Sequence, residues 1–415
     1  MRRSVVGRAR PGAVGLAVAV VTAVVLTGSP GASAQPAPPT AGATQRYIVT
    51  LAPGTAAGTT ADVARAAEHQ LSTLGVSERP DRLFRSALKG YTADLTAAAA
   101  QQLAANPAVQ AVEPDGLVWL ADTQPNPPWG VDRIDQADLP LSATYTYTAT
   151  GAGVTAYVID SGVRASHSDF GGRAITGLDV VDGGAADDCL GHGTHVSSTI
   201  GGRTMGVAKG VSLVAVRVFG CQSTAPESDV IAGIDWVVAN HQAGQPAVAN
   251  MSLSYLGSTA LDTTVQRMID DGVTVAVAAG NGAFGLFPLD ACGWSPGRLP
   301  GAITVAASDI NDGLANFSNR GNCVDLIAPG VDVPGASFND DTSVVNMSGT
   351  SMATPHVVGA AAKVLQQTPG ATPAQVATSL KQTATVGTID GTGPCFAVIV
   401  CVFAPTPNLL LRSNL

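Results

Sequence analysis

Three short stretches of this chain could together carry out nucleophilic hydrolysis. In Val158-Ile-Asp-Ser-Gly162 the carboxylate of Asp160 closes an apolar run, a costly place for a charge unless something pairs with it. In Gly191-His-Gly-Thr-His195 two imidazoles sit beside glycines that permit close approach, and spacing alone leaves open whether His192 or His195 would be a base. In Gly349-Thr-Ser-Met-Ala-Thr-Pro-His-Val357 one serine, Ser351, stands where a turn becomes a helix. Pro355 is expected in the first turn of that helix, where its missing N–H costs nothing. A serine hydroxyl is a poor nucleophile near neutral pH. It needs an imidazole to take its proton, and the imidazole needs a carboxylate to hold its tautomer. The oxyanion that forms on the attacked carbonyl needs donors, which the free N–H groups of a helix start and the amide of Asn281, in Ala278-Ala-Gly-Asn281, could supply. Taken singly, each residue has a commoner use: a serine caps a helix, and an aspartate or a Gly-Asn pair makes a turn.

Those residues need a frame that brings distant positions together. Short apolar runs at 154–159, 213–219, 248–253, 273–279 and 303–307 alternate with helical patterns. Strands with no in–out alternation are buried on both faces, so helices must cover them. The helices look well bounded: 258–271 ends before Gly272, and Thr372-Pro373 opens another with a cap and an N1 proline. These patterns predict an α/β fold, a doubly wound and mostly parallel sheet whose sites form where strands end and helices begin.

Ahead of it, residues 46–120 read as a separate unit. Strand patterns at 47–51, 84–95 (a pair turning at Lys89-Gly90) and 109–113 alternate with helical ones at 60–74 and 96–103. The order βαββαβ predicts a small ferredoxin-like α+β sandwich. About 75 residues without cysteine make a marginal domain. A Pro-, Ala- and Gly-rich segment at 35–45 reads as a linker. Residues 1–34 read as a secretory signal peptide, in which Arg2, Arg3, Arg8 and Arg10 precede an apolar run and Ala32-Ser33-Ala34 offers a cleavage site.

The 415 residues are 46% hydrophobic and carry a formal charge of −9. From residue 122 onward 24 Asp and Glu stand against 12 Lys and Arg, a surface that repels phosphate backbones and makes nucleic acid an unsuitable partner. No later stretch is long and charge-free enough to anchor the chain in a membrane. Export makes the six cysteines readable as an oxidised set, with fifteen possible pairings.

The three motifs, quoted above as they stand, resemble those of the subtilisin-type serine proteases, in their proteinase K branch and its aqualysin-like members. The resemblance covers roughly residues 45–415 and implies a secreted endopeptidase acting on proteins, and no apolar patch or coiled-coil pattern in the sequence argues against a monomer. It implies that Asp160 orients, His192 is general base and acid, Ser351 attacks, and Asn281 completes an oxyanion hole with the Ser351 N–H. Residues 46–121 would be an inhibitory propeptide, removed by a self-inflicted cut near Ala121-Asp122 that leaves 122–415 as the catalytic domain. It also implies disulfides Cys189–Cys221 and Cys292–Cys323, leaving Cys395 with Cys401. Peptide would add as a strand between 250–257 and a segment near 223–225, over a pocket of Ser252, Leu253, Ser254, Ala279 and Gly280. A structural calcium would sit on Asp325 and the carbonyls of Pro300 and Ala302. The chain departs from the pattern at Ser254, Tyr255 and Leu256, which stand where relatives carry glycines, and at Leu190, for which the sequence offers no functional account. Two rival readings are an esterase using the same triad, although no Gly-x-Ser-x-Gly surrounds Ser351, and a binding protein on an inactive protease scaffold, although no triad residue is lost.

Overall fold

The computed structural model describes residues 44–56, 59–77, 79–115, 121–283, 285, 287–392 and 405–413. The segment read as a signal peptide, most of the expected linker, and Cys395 and Cys401 lie outside them. The chain divides into two compact units, between Asp115 and Gly116.

The first unit follows the order β1 (Thr44–Leu51), α1 (Thr60–Thr73), β2 (Arg82–Phe84), β3 (Gly90–Thr96), α2 (Ala97–Ala104), β4 (Val109–Pro114). Its antiparallel sheet runs β2-β3-β1-β4. Alternate residues Tyr47, Val49 and Leu51 of β1 and Tyr91, Ala93 and Leu95 of β3 join one core with Val63, Ala67 and Leu71 of α1 and Leu103 of α2. Both helices therefore cover the same face. Thr59 caps α1 in a capping box with Asp62, and Thr96 caps α2. The reading of 35–45 as linker needs correction at its end. Thr44 and Gln45 already pair with Thr96 and Leu95, because backbone ladder bonds need no apolar side chain. The compact unit also ends six residues before the expected cut at 121/122, which would be a chemical event and need not follow a folding boundary.

The second unit opens with a ribbon, β5 (Asp122–Pro125) and β6 (Thr144–Tyr147), around α3 (Trp129–Arg133). Then follow β7 (Thr155–Asp160), β8 (Ala174–Asp179), α4 (His192–Gly201), β9 (Ser212–Arg217), α5 (Glu227–Asn240), β10 (Ala247–Met251), β11 (Tyr255–Leu256), α6 (Thr259–Asp270) and β12 (Thr274–Ala278). The chain continues through β13 (Trp294–Ser295), β14 (Ile303–Ser308), β15 (Leu326–Pro329), β16 (Val333–Ala336), β17 (Val344–Met347), α7 (Thr350–Gln367), α8 (Pro373–Thr383), β18 (Thr385–Val386) and β19 (Leu409–Leu410). Nine strands form one sheet in the order β18-β19-β15-β14-β12-β10-β7-β9-β8, parallel except for β18 against β19. From β7 the chain winds first toward β8 and β9, then crosses to β10 and beyond. The end of β7 is thus a switch point, where a crevice opens beyond the strand ends.

Both faces are buried, as the unbroken apolar runs require. Ala156 and Val158 of β7 enter a core shared with α4 and α7, whereas Tyr157 and Ile159 enter a second core shared with α5 and α6. Helix α7 is buried along nearly its whole length, Lys363 included. The first core also encloses His195 and His356, fully buried at 0% exposure. Burial pushes both imidazoles down to about 4.

That burial makes stability depend on pH. Below about 6.5, the ordinary histidine value, the unfolded chain takes up protons that the folded one refuses, so stability falls with pH until about 4 and then levels. Each histidine contributes on the order of 3 kcal/mol to this loss. Thermal midpoints measured between pH 7 and 4 should fall through that window, and His356→Gln should flatten the slope.

Candidate active site

Asp160 is the last residue of β7, with its side chain only 3% exposed. One oxygen takes the N–H of Ser161 at 2.7 Å. Gly191 precedes α4 at φ 93°, the left-handed region, where a Cβ would strike the Phe338 ring. The turn sets His192 at the helix start with Nδ1 at 2.8 and 2.9 Å from the two Asp160 oxygens. A carboxylate there fixes the proton on Nδ1 and leaves the Nε2 lone pair free. Burial alone would lower the His192 pKa, but the charge and hydrogen bond of Asp160, with the charge of Asp188, outweigh it and hold it above the ordinary 6.5. His195, one turn on, faces away and bonds the Val333 carbonyl through Nε2 at 2.9 Å. The choice between the two histidines that spacing left open is thus made by contact: Asp160 meets His192.

Ser351 is the second residue of α7, whose N-cap is Gly349, so it is no cap. Its hydroxyl donates to the Ser252 carbonyl at 3.2 Å, and no hydrogen bond joins it to His192 among the described residues. Such bonds commonly tighten only when substrate arrives. The expectation for Pro355 is corrected. It is the sixth residue of α7, beyond the first turn, so its missing N–H leaves the Ser351 carbonyl without its helical partner. The Ser252 hydroxyl fills that gap at 2.8 Å and itself accepts from Asn250 Nδ2 at 3.0 Å. This brace on the serine was invisible in the sequence.

Asn281 follows β12 past Gly280, at φ 97°. Its Oδ1 accepts the Thr350 N–H at 2.8 Å and the Thr350 hydroxyl at 2.9 Å. A backbone N–H must face an oxygen, so the amide orientation is fixed and Nδ2 is left for the cleft. The Ser351 N–H likewise has no acceptor among the described residues.

Asp160, His192, Ser252, Leu253, Ser254, Gly280, Asn281, Thr350 and Ser351 line one cleft of about 320 Å³. Ala279 does not. It is fully buried in a small core with Ala306, Ile327 and Leu410, its carbonyl taken by Asn319 at 2.8 Å. Through Phe219, Ser223, Leu253 and Ser254 the cleft shares its wall with a second hollow that also includes Tyr255 and Leu261. Tyr255 and Leu256 do not pack inward; they are 50% and 68% exposed on the strand that pairs with β13. Leu190 lines the cleft.

Cys189 is joined to Cys221 and Cys292 to Cys323. Asp325, the residue expected to hold calcium, is otherwise engaged. Asp325 Oδ1 holds the Lys381 ammonium at 3.1 Å and its Oδ2 the Thr304 N–H at 3.0 Å. A carboxylate already balanced by a lysine keeps little charge for a dication, so these residues do not fit the ion. Among the described residues no three His, Cys, Asp or Glu side chains gather as a metal site.

A carboxylate-oriented imidazole, a serine at a helix start and two free donors in one cleft at the switch point of a parallel sheet suit an acyl-transferring serine hydrolase. A family model described as the subtilase family matches residues 151–396, and one described as peptidase inhibitor I9 matches residues 46–121. An extracellular serine proteinase of Thermus sp. is 48% identical over 83% of this chain and 80% of its own. The alkaline serine exoprotease A of Vibrio alginolyticus is 44% identical over 75% of this chain and 58% of its own. The crystal structure of a cold adapted subtilisin-like serine proteinase, 46% identical, aligns with a TM-score of 0.64 over 69% of this chain and 98% of that one. The chain belongs to the subtilase family, carries an inhibitor-type propeptide, and is a serine endopeptidase.

The Lys381–Asp325 pair yields a direct test. A chelator should change the thermal midpoint of the parent and of Asp325→Asn by the same amount, whereas a loss confined to the parent would restore calcium to this loop.

Proposed function

We propose that the protein is exported, cuts itself from its N-terminal unit, and then hydrolyses peptide bonds in other proteins through an acyl-enzyme. The reading is carried by one observation: an Asp160-paired His192 opens the same cleft as Ser351 and Asn281. Ser351 Oγ attacks the scissile carbonyl carbon and its proton passes to His192 Nε2. Asp160 stabilises the imidazolium that results. The Ser351 N–H and Asn281 Nδ2 receive the oxyanion. Collapse of the tetrahedral species breaks the C–N bond, and His192 returns the proton to the leaving amine. Water then repeats the sequence on the acyl-serine, with His192 taking its proton, and frees the acid product. Every group used belongs to the chain, so no step calls for a cofactor.

The match to the inhibitor family ends at residue 121, and strand β5 begins at Asp122. Both support maturation near Ala121-Asp122, with residues 46–121 inhibiting the catalytic unit until then. The relative named as extracellular and the arginine-led apolar run at the chain start support export. A net charge of −9 argues against nucleic acid as a partner, and the mature enzyme is expected to act as a monomer.

Ser351→Ala should lower kcat roughly 10⁶-fold, the loss known for the subtilisin triad, and should abolish both fluorophosphonate labelling and self-processing. A variant that still cleaved casein would end this reading. N-terminal sequencing of active protein should begin within a few residues of Asp122. His192 must be neutral to act as base, and its proton affinity is raised, so kcat/KM against pH should show an acid limb whose midpoint lies above 6.5.

A further inference from the structure

Helix α4 starts without a cap of its own. Gly191 holds the N-cap position and offers no side chain, so the first N–H groups of the helix that carries His192 need other partners. Asp188, three residues earlier, takes one of them and two more from the turn that leads in. Its Oδ1 accepts the N–H groups of Leu190 at 2.9 Å and Gly191 at 2.7 Å and the Ser161 hydroxyl at 3.0 Å. Its Oδ2 accepts the Thr194 N–H at 2.9 Å and the Thr194 hydroxyl at 2.6 Å. Ser161, adjoining Asp160, accepts the Gly193 N–H at 2.9 Å. The fit between helix start and strand turn is close, because a Cβ on Gly193 would stand 2.0 Å from the Gly162 carbonyl oxygen. One carboxylate outside the cleft lining thus ties the turn behind Asp160 to the first turn of α4.

We propose that Asp188 is a positioning residue for the general base, acting through the first turn of α4 and through Ser161 to hold His192 against Asp160. The inference rests on the reading of His192 as that base. Asp188 touches no substrate, so its work should appear in turnover and not in binding. Its charge lies at the positive end of the helix, where an anion is favoured, and it adds to the proton affinity of His192. The other charged groups around this turn do not duplicate it. Arg217, whose guanidinium reaches Cys189, is already paired with Asp179 and Asp182, His195 is buried and neutral, and Asp187 is exposed.

The test uses the full chain, allowed to process itself, with active sites counted by fluorophosphonate. Asp188→Asn keeps the shape but cannot accept at both oxygens. It should lower kcat about 10- to 100-fold, the scale of a small misplacement at a reacting centre, leave KM within about twofold, and move the acid limb of kcat/KM to lower pH. Ser161→Ala, which removes only the bridging hydroxyl, should lower kcat less and leave the acid limb in place. A folded Asp188→Asn variant with the parent's kcat and acid limb, or with a change in KM alone, overturns the proposal. If that variant does not accumulate, Ser161→Ala decides, and a kcat equal to the parent's refutes the link. A parent inert toward casein would instead remove the protease reading itself, whereas an active parent with indifferent variants removes only this inference.

Discussion

The contact between His192 Nδ1 and the two Asp160 oxygens, at 2.8 and 2.9 Å, is the constraint around which the second unit is arranged. A nearly buried carboxylate at the end of an apolar strand is tolerable only with a donor to meet it. An imidazole becomes a directed base only when one nitrogen is held. Each group solves the other's problem, which makes the pairing both a structural and a chemical requirement. It also accounts for the glycines on either side of His192. One turns the chain back through the left-handed region, and the other lets the helix start come against the turn after Asp160.

The serine side of the cleft follows a different logic. There the nucleophile rides on a helix buried nearly throughout, so its position is set by the core. The defect introduced by Pro355 is met by Ser252, and Thr350 turns the Asn281 amide toward the cleft. Helix α7 therefore carries a hydroxyl, an N–H with no acceptor among the described residues and the lock on a second donor within two consecutive residues. Placing them together on one rigid element keeps donors and nucleophile in fixed register.

How much of this could be read from the chain depended on the range of the interaction. The buried strands, the cap at Thr372 and the βαββαβ order were legible because apolar period and capping act within a few residues. Asp160, His192 and Ser351 were legible as candidates because they lie at strand ends and helix starts. Asp188, Thr350 and the Ser252 hydroxyl were not, since each acts on a group whose need for a partner appears only once the backbone is folded. Pro355 was misplaced by the same limit, because its effect depends on where α7 begins. Ala279, which the resemblance puts in the pocket, is buried with its carbonyl taken by Asn319, a contact that no local pattern announces. The two-residue strands β18 and β19 leave almost no periodic signal.

The ion pair between Lys381 and Asp325 changes what this corner of the fold depends on. A tethered ammonium cannot be stripped away by dilution, so the loop before β15 and helix α8 carry their own counter-ion wherever the protein travels. What can weaken it is dissolved salt, which screens partly exposed charges, and because a pair with its lysine side chain 41% exposed contributes little to stability, little is lost. This attachment therefore answers, slightly, to the total salt of the medium.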